Sequence, residues 1–69
     1  MRIGRNITKL RQAKNLTQKE LAEKAGISTH YLSRIEGGTC PRPHVKSLSR
    51  IAETLGVEVR ELFEEKQDE

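Results

Sequence analysis

Gln18-Lys19-Glu20-Leu21-Ala22-Glu23-Lys24-Ala25-Gly26-Ile27-Ser28-Thr29-His30-Tyr31-Leu32-Ser33-Arg34-Ile35-Glu36 carries two helical apolar patterns separated by a single turn. Thr17-x-x-Glu20 opens the first as a capping box, in which the Thr oxygen takes one orphan N–H and the Glu returns to another. Leu16 and Leu21 flank it as a hydrophobic staple. That helix stops at Gly26, a residue suited to the left-handed position after a helix end. It is about eight residues long, too short to be stable alone in water. Ser28 is the next N-cap, with Ile27 and Leu32 as its staple, and Leu32 and Ile35 point inward at i and i+3. Helices joined this tightly cross at about 90–120°. The crossing asks for a small residue where they touch, met by Ala22, and for a turn without a Cβ clash, met by Gly26.

Outward from this pair the spacing stays helical. Ile3, Ile7 and Leu10 predict a first helix, interrupted by Asn15-Leu16-Thr17. Gly37-Gly38 ends the third helix and opens the one real loop, through Pro43. Val45, Leu48, Ile51, Ala52 and Leu55 form the inward stripe of a fourth helix closed by Gly56. Val59, Leu62 and Phe63 make a short fifth helix. No strand pattern is present. The expectation is a compact all-α domain over residues 1–64, followed by a short acidic C-terminal tail, 65–69.

Composition excludes other classes. The chain has 69 residues, 33% hydrophobic and 33% charged, with a formal charge of +3. Residues 1–50 hold 11 basic and 3 acidic side chains, giving +8, and residues 51–69 hold 2 basic and 7 acidic, giving −5. A basic body with an acidic end points to a polyanionic partner. One cysteine, Cys40, allows no internal disulfide, and no apolar run approaches the roughly 20 residues of a membrane span. A cytoplasmic location is the default expectation. Cys40-x3-His44 has a ligand-like spacing, but a zinc site needs about four ligands and His30 is the only other imidazole. No metal and no cofactor are expected. No Ser/His/Asp set, paired catalytic carboxylates or phosphate-cradling glycine loop is present, so enzyme activity is not expected either.

The spacing Ala-x3-Gly-x5-Leu-x2-Ile behind a capping box is the helix-turn-helix pattern. The sequence resembles the Cro/cI-type (XRE-type) helix-turn-helix family of phage and bacterial repressors. The matching segments are Ile3-Gly4-Arg5-Asn6-Ile7 with Leu10-Arg11, Leu16-Thr17-Gln18-x-Glu20-Leu21-Ala22, Ala25-Gly26-Ile27-Ser28, Tyr31-Leu32-Ser33-Arg34-Ile35-Glu36-x-Gly38 and Ile51-Ala52-x-x-Leu55-Gly56-Val57. The resemblance implies a five-helix, lambda-repressor-like fold whose second and third helices bind DNA.

In such a fold the N-terminal half of the third helix enters the major groove. Thr29, His30, Ser33 and Arg34 lie opposite the inward Leu32 and Ile35 and are the candidate base readers. Arg34 leads, because its fork matches the O6 and N7 acceptors of guanine. Tyr31 sits between the faces, to hydrogen-bond a phosphate or to pack. Gln18, at a helix start that favours an anion, matches the glutamine with which the family clamps the backbone. Thr17, Thr39, Arg42 and Lys46 are further phosphate candidates. The resemblance implies an ion pair between Arg11 and Glu36 beneath the motif. It also implies homodimers on a pseudo-palindromic operator, with Val57, Val59, Leu62 and Phe63 as the candidate interface, although Leu62 suits the core somewhat better than the interface and Phe63 the interface better than the core. The expected function is sequence-specific double-stranded DNA binding as a small transcriptional repressor. The alternative is a protein-interaction module, such as an antitoxin or adaptor, that also binds DNA. No membrane partner is expected, and no small-molecule ligand is evident, because 69 residues leave no room for a separate sensing domain.

Overall fold

In the computed structural model, which describes residues 3–64, the capping signals stand where the sequence puts them. Thr17 Oγ1 accepts from the Glu20 N–H at 3.0 Å, and Glu20 Oε1 accepts from the Thr17 N–H at 2.8 Å. These two bonds start α2, Gln18–Ala25, after α1, Ile3–Ala13. Ser28 Oγ accepts from the Tyr31 N–H at 3.0 Å and starts α3, Thr29–Gly37. Helices α4, Val45–Leu55, and α5, Val59–Phe63, complete the order. No strand occurs among the described residues. The acidic tail 65–69 lies outside them.

The turn between α2 and α3 rests on Gly26, at φ 72° and ψ 30°. That left-handed conformation leaves Ile27 in place to donate its N–H to the Ala22 carbonyl at 3.0 Å, which closes the helix end. The α1–α2 turn is made differently. Asn15 takes φ 58°, a conformation asparagine tolerates better than most residues, and Leu16 N–H then donates to the Arg11 carbonyl.

Among the described residues, five short helices close around one core. Ile7, Leu21, Leu32, Ile35, Ile51, Leu55 and Leu62 are its fully buried large side chains. Burying such a side chain stabilises by about 1.5–3 kcal/mol, which is why helices too short to stand alone persist here. Helix α1 packs on α3 and α5, and α2 packs on α3 and α4. The α1–α3 contact is unusually close. A Cβ on Gly4 would lie 2.6 Å from the Glu36 carbonyl oxygen and also against that of Ile35, so only glycine lets these backbones meet.

Two expectations need correction. Val45 heads the predicted stripe of α4 but is 74% exposed. It is the first residue of the helix, and side chains lean toward the helix N-terminus, so its side chain overhangs the end of the packed face. Leu62 is fully buried, which removes it from any surface on which a second chain could pair. Its backbone is held as well: Asn6 Nδ2 on α1 donates to the carbonyls of Leu62, at 2.8 Å, and Glu64, at 2.6 Å.

Candidate nucleic-acid interface

Burial of Leu32 and Ile35 fixes the roll of α3. Thr29, His30, Ser33 and Arg34 are consequently all exposed, a polar row along the face turned from the core. Arg34 bends toward the end of its own helix. Its Nη2 donates to the Thr39 carbonyl at 3.1 Å, while Thr39 Oγ1 donates to the Arg34 carbonyl at 3.4 Å. One guanidinium nitrogen is thereby occupied, and the residue stays exposed.

Tyr31 lies half-buried against the core and does more than pack. Its hydroxyl oxygen accepts the His44 N–H at 2.9 Å. His44 is the N-cap of α4 and supplies no side-chain cap, so Tyr31 joins α3 to the start of α4. The hydroxyl proton remains available to an acceptor from outside. Arg42 and Lys46, on either side of that N-cap, are exposed, as is Thr39.

At the other edge stands Gln18, the first residue of α2 and half-buried. Its Nε2 donates to Glu36 Oε1 at 3.0 Å. The same carboxylate accepts from Thr8 Oγ1 at 2.9 Å, from Arg11 Nε at 2.9 Å and from Arg11 Nη2 at 3.1 Å. Arg11 Nη1 reaches on to the Leu16 carbonyl at 2.8 Å. The Arg11 and Glu36 side chains are 12% and 5% exposed, so this is a nearly buried pair with a full set of partners. The Arg11–Glu36 pair is present in the structure. Thr8 and the link to Gln18 were not foreseen, because neither follows from sequence spacing. The oxygen of Thr17 is engaged in its capping bond and its side chain is exposed.

Val57 and Val59 are half-buried and pack against the core, leaving Phe63, 38% exposed, and Val45 as the exposed large apolar side chains. Cys40 is a half-buried free thiol. Among the described residues no three His, Cys, Asp or Glu side chains gather as a metal site would require. No helix among them is long and apolar enough to cross a membrane.

The helix-turn-helix family model matches residues 7–62. The transcriptional regulator SlrR of Bacillus subtilis is 42% identical over 62 residues, covering 90% of this chain and 41% of SlrR. SinR of the same organism is 38% identical over 66 residues, covering 96% of this chain and 60% of SinR. The chain thus spans about half the length of these curated relatives. Among solved structures, the N-terminal DNA-binding domain of Bacillus subtilis SinR superposes with a TM-score of 0.89 at 38% identity, covering 96% of each chain. SinR in complex with DNA gives a TM-score of 0.86 at 37% identity, covering 90% of this chain and 98% of that one.

Proposed function

The chain belongs to the helix-turn-helix family, and from that premise we propose that it is a small DNA-binding transcriptional regulator that reads double-stranded DNA by sequence. The observation that carries this is the exposed row Thr29, His30, Ser33 and Arg34 directly above buried Leu32 and Ile35. A helix entering the major groove needs that polar face, and an ordinary packed helix corner does not. Within it Arg34 reads guanine, and Thr29, His30 and Ser33 meet neighbouring base edges directly or through water. Gln18 and Thr17 at the start of α2 hold one phosphate. Tyr31, Arg42 and Lys46 around the start of α4, with Thr39 after the end of α3, hold the next.

Residues 1–64 form the DNA-binding domain. The protein works in the cytoplasm, carries no enzymatic chemistry and represses by occupying a promoter. Two copies bind a pseudo-palindrome, each placing α3 in one of two successive major grooves about 34 Å apart. Phe63, with Val57 and Val59 beside it, supplies the contact between copies. The exposed Phe63 and Val45 also favour a second reading, a DNA-binding module that docks a partner protein. Sedimentation of the protein with and without a duplex separates the two. A dimer on DNA supports the first, and a strict monomer on a single half-site supports the second.

A further inference from the structure

We propose that Glu36 is a positioning residue for the phosphate contact at Gln18. The proposal rests on the DNA-binding reading above and deepens it. A glutamine at a helix start ordinarily samples several rotamers, and closing it on a phosphate costs side-chain entropy. Here the rotamer is already chosen. Gln18 Nε2 donates one hydrogen to Glu36 Oε1 at 3.0 Å, which leaves its second hydrogen for an acceptor from outside, on the residue that opens α2. The carboxylate is itself held in place by hydrogen bonds. Thr8 and two nitrogens of Arg11 hold it, and the side chain is 5% exposed. Arg11 also grips the Leu16 carbonyl, one residue before the cap Thr17. A single network therefore fixes both the side chain that meets the phosphate and the backbone that leads into it. Arg11 offsets the charge of Glu36, so a phosphate can approach a helix end that has a carboxylate beneath it.

The sign of one substitution separates positioning from simple electrostatics. Glu36→Gln removes a negative charge, and by charge alone it tightens binding to any polyanion. If Glu36 positions Gln18, the same substitution weakens binding, because an NH2 replaces one acceptor oxygen and Arg11 and Thr8 then compete with Gln18 for the one that is left. The probe is a mixed-sequence 24-base-pair duplex at low salt, because phosphate contacts carry no sequence information. Fluorescence anisotropy gives the affinity, and circular dichroism verifies that each variant is folded at the assay temperature. Gln18→Ala and Glu36→Gln are each expected to weaken binding by about tenfold or more, the worth of one hydrogen bond to a charged group. The double variant is expected to match the single ones rather than multiply them. Folded Glu36→Gln that binds as tightly as the parent, or effects that multiply, overturns the proposal. Should Glu36→Gln not fold, Glu36→Asp keeps the charge and withdraws the carboxylate from Gln18; loss of affinity is again expected, and unchanged affinity overturns the proposal. In the unmodified protein, the Gln18 side-chain amide is expected to show an NMR order parameter near backbone values, and a freely rotating amide is contrary to it. If the unmodified protein shows no salt-dependent binding to the duplex, the DNA-binding reading itself falls, a result distinct from every one of these.

Discussion

Glu36 shows how one side chain on α3 ties down both α1 and α2. Its carboxylate holds Thr8, Arg11 and Gln18, and Arg11 is nearly buried beside it. Truncation to Glu36→Ala strands the Arg11 guanidinium, and breaking one partner of a buried pair costs about 3–5 kcal/mol. A domain of this size loses about 4–8 °C per kcal/mol, so the melting midpoint is expected to fall by at least about 10 °C; an unchanged midpoint would refute the assignment. Gly4 is the second position of this kind. Gly4→Ala drives a methyl group into the backbone of α3, and overpacking costs about 1–3 kcal/mol, readable in a urea titration. The sequence displays Gly4 only as a glycine inside a helical pattern. Its meaning is a distance to Ile35 and Glu36, which sequence spacing does not encode. Gln18 is alike in this: its place at a helix start is legible, whereas its bond to Glu36 spans 18 positions.

The elements were legible because their signals are local. Thr17 with Glu20, Ser28, and the glycines at positions 26, 38 and 56 each mark a boundary: both ends of α2 and α3 and the C-terminal end of α4 lie beside them. Capping bonds join residues within a turn, so residue types three or four apart suffice to read them. What stayed hidden depends on neighbours. Val45 fits the apolar period of α4 yet overhangs its end, and Leu62 suits both a core and an interface until α1 and α4 are seen packed on α5. Helix α5, five residues long, stays in place through that burial and through Asn6. Asn6→Ala leaves two carbonyls without their donor, at about 1–3 kcal/mol. Amide exchange is expected to quicken in α5 and the first turn of α1 more than in α2 and α3; uniform acceleration across all five helices would contradict a local anchor. Tyr31→Phe makes a companion test between α3 and α4. It removes the acceptor of the His44 N–H and is expected to cost about 0.5–1.5 kcal/mol with α3 itself intact.

At the scale of the whole molecule, the charge split acquires an orientation. Residues 1–50 carry the +8 and include both helices of the motif, the 37–43 loop and Lys46 at the start of α4. Arg11 is engaged with Glu36, and the Lys14 ammonium lies near Gly56 at the C-terminal end of α4, so neither adds to the reading face. Arg34, Arg42 and Lys46 remain exposed around the recognition helix. Affinity for DNA is therefore expected to fall linearly with salt on logarithmic axes, by about 0.9 for each phosphate neutralised, and Lys46→Ala is expected to reduce that slope by about one. Arg34→Ala acts differently. It removes discrimination of about 1–3 kcal/mol at one base pair while Gln18→Ala weakens all sequences alike. Selection of bound duplexes from a random pool, run in parallel on the unmodified protein and on Arg34→Ala, tests sequence reading by α3 most directly. The expected outcome is an enriched pseudo-palindrome with half-sites 10–10.5 base pairs apart, in which Arg34→Ala relaxes a guanine position and leaves the rest. Failure to enrich any motif, or an identical motif from both proteins, would contradict it.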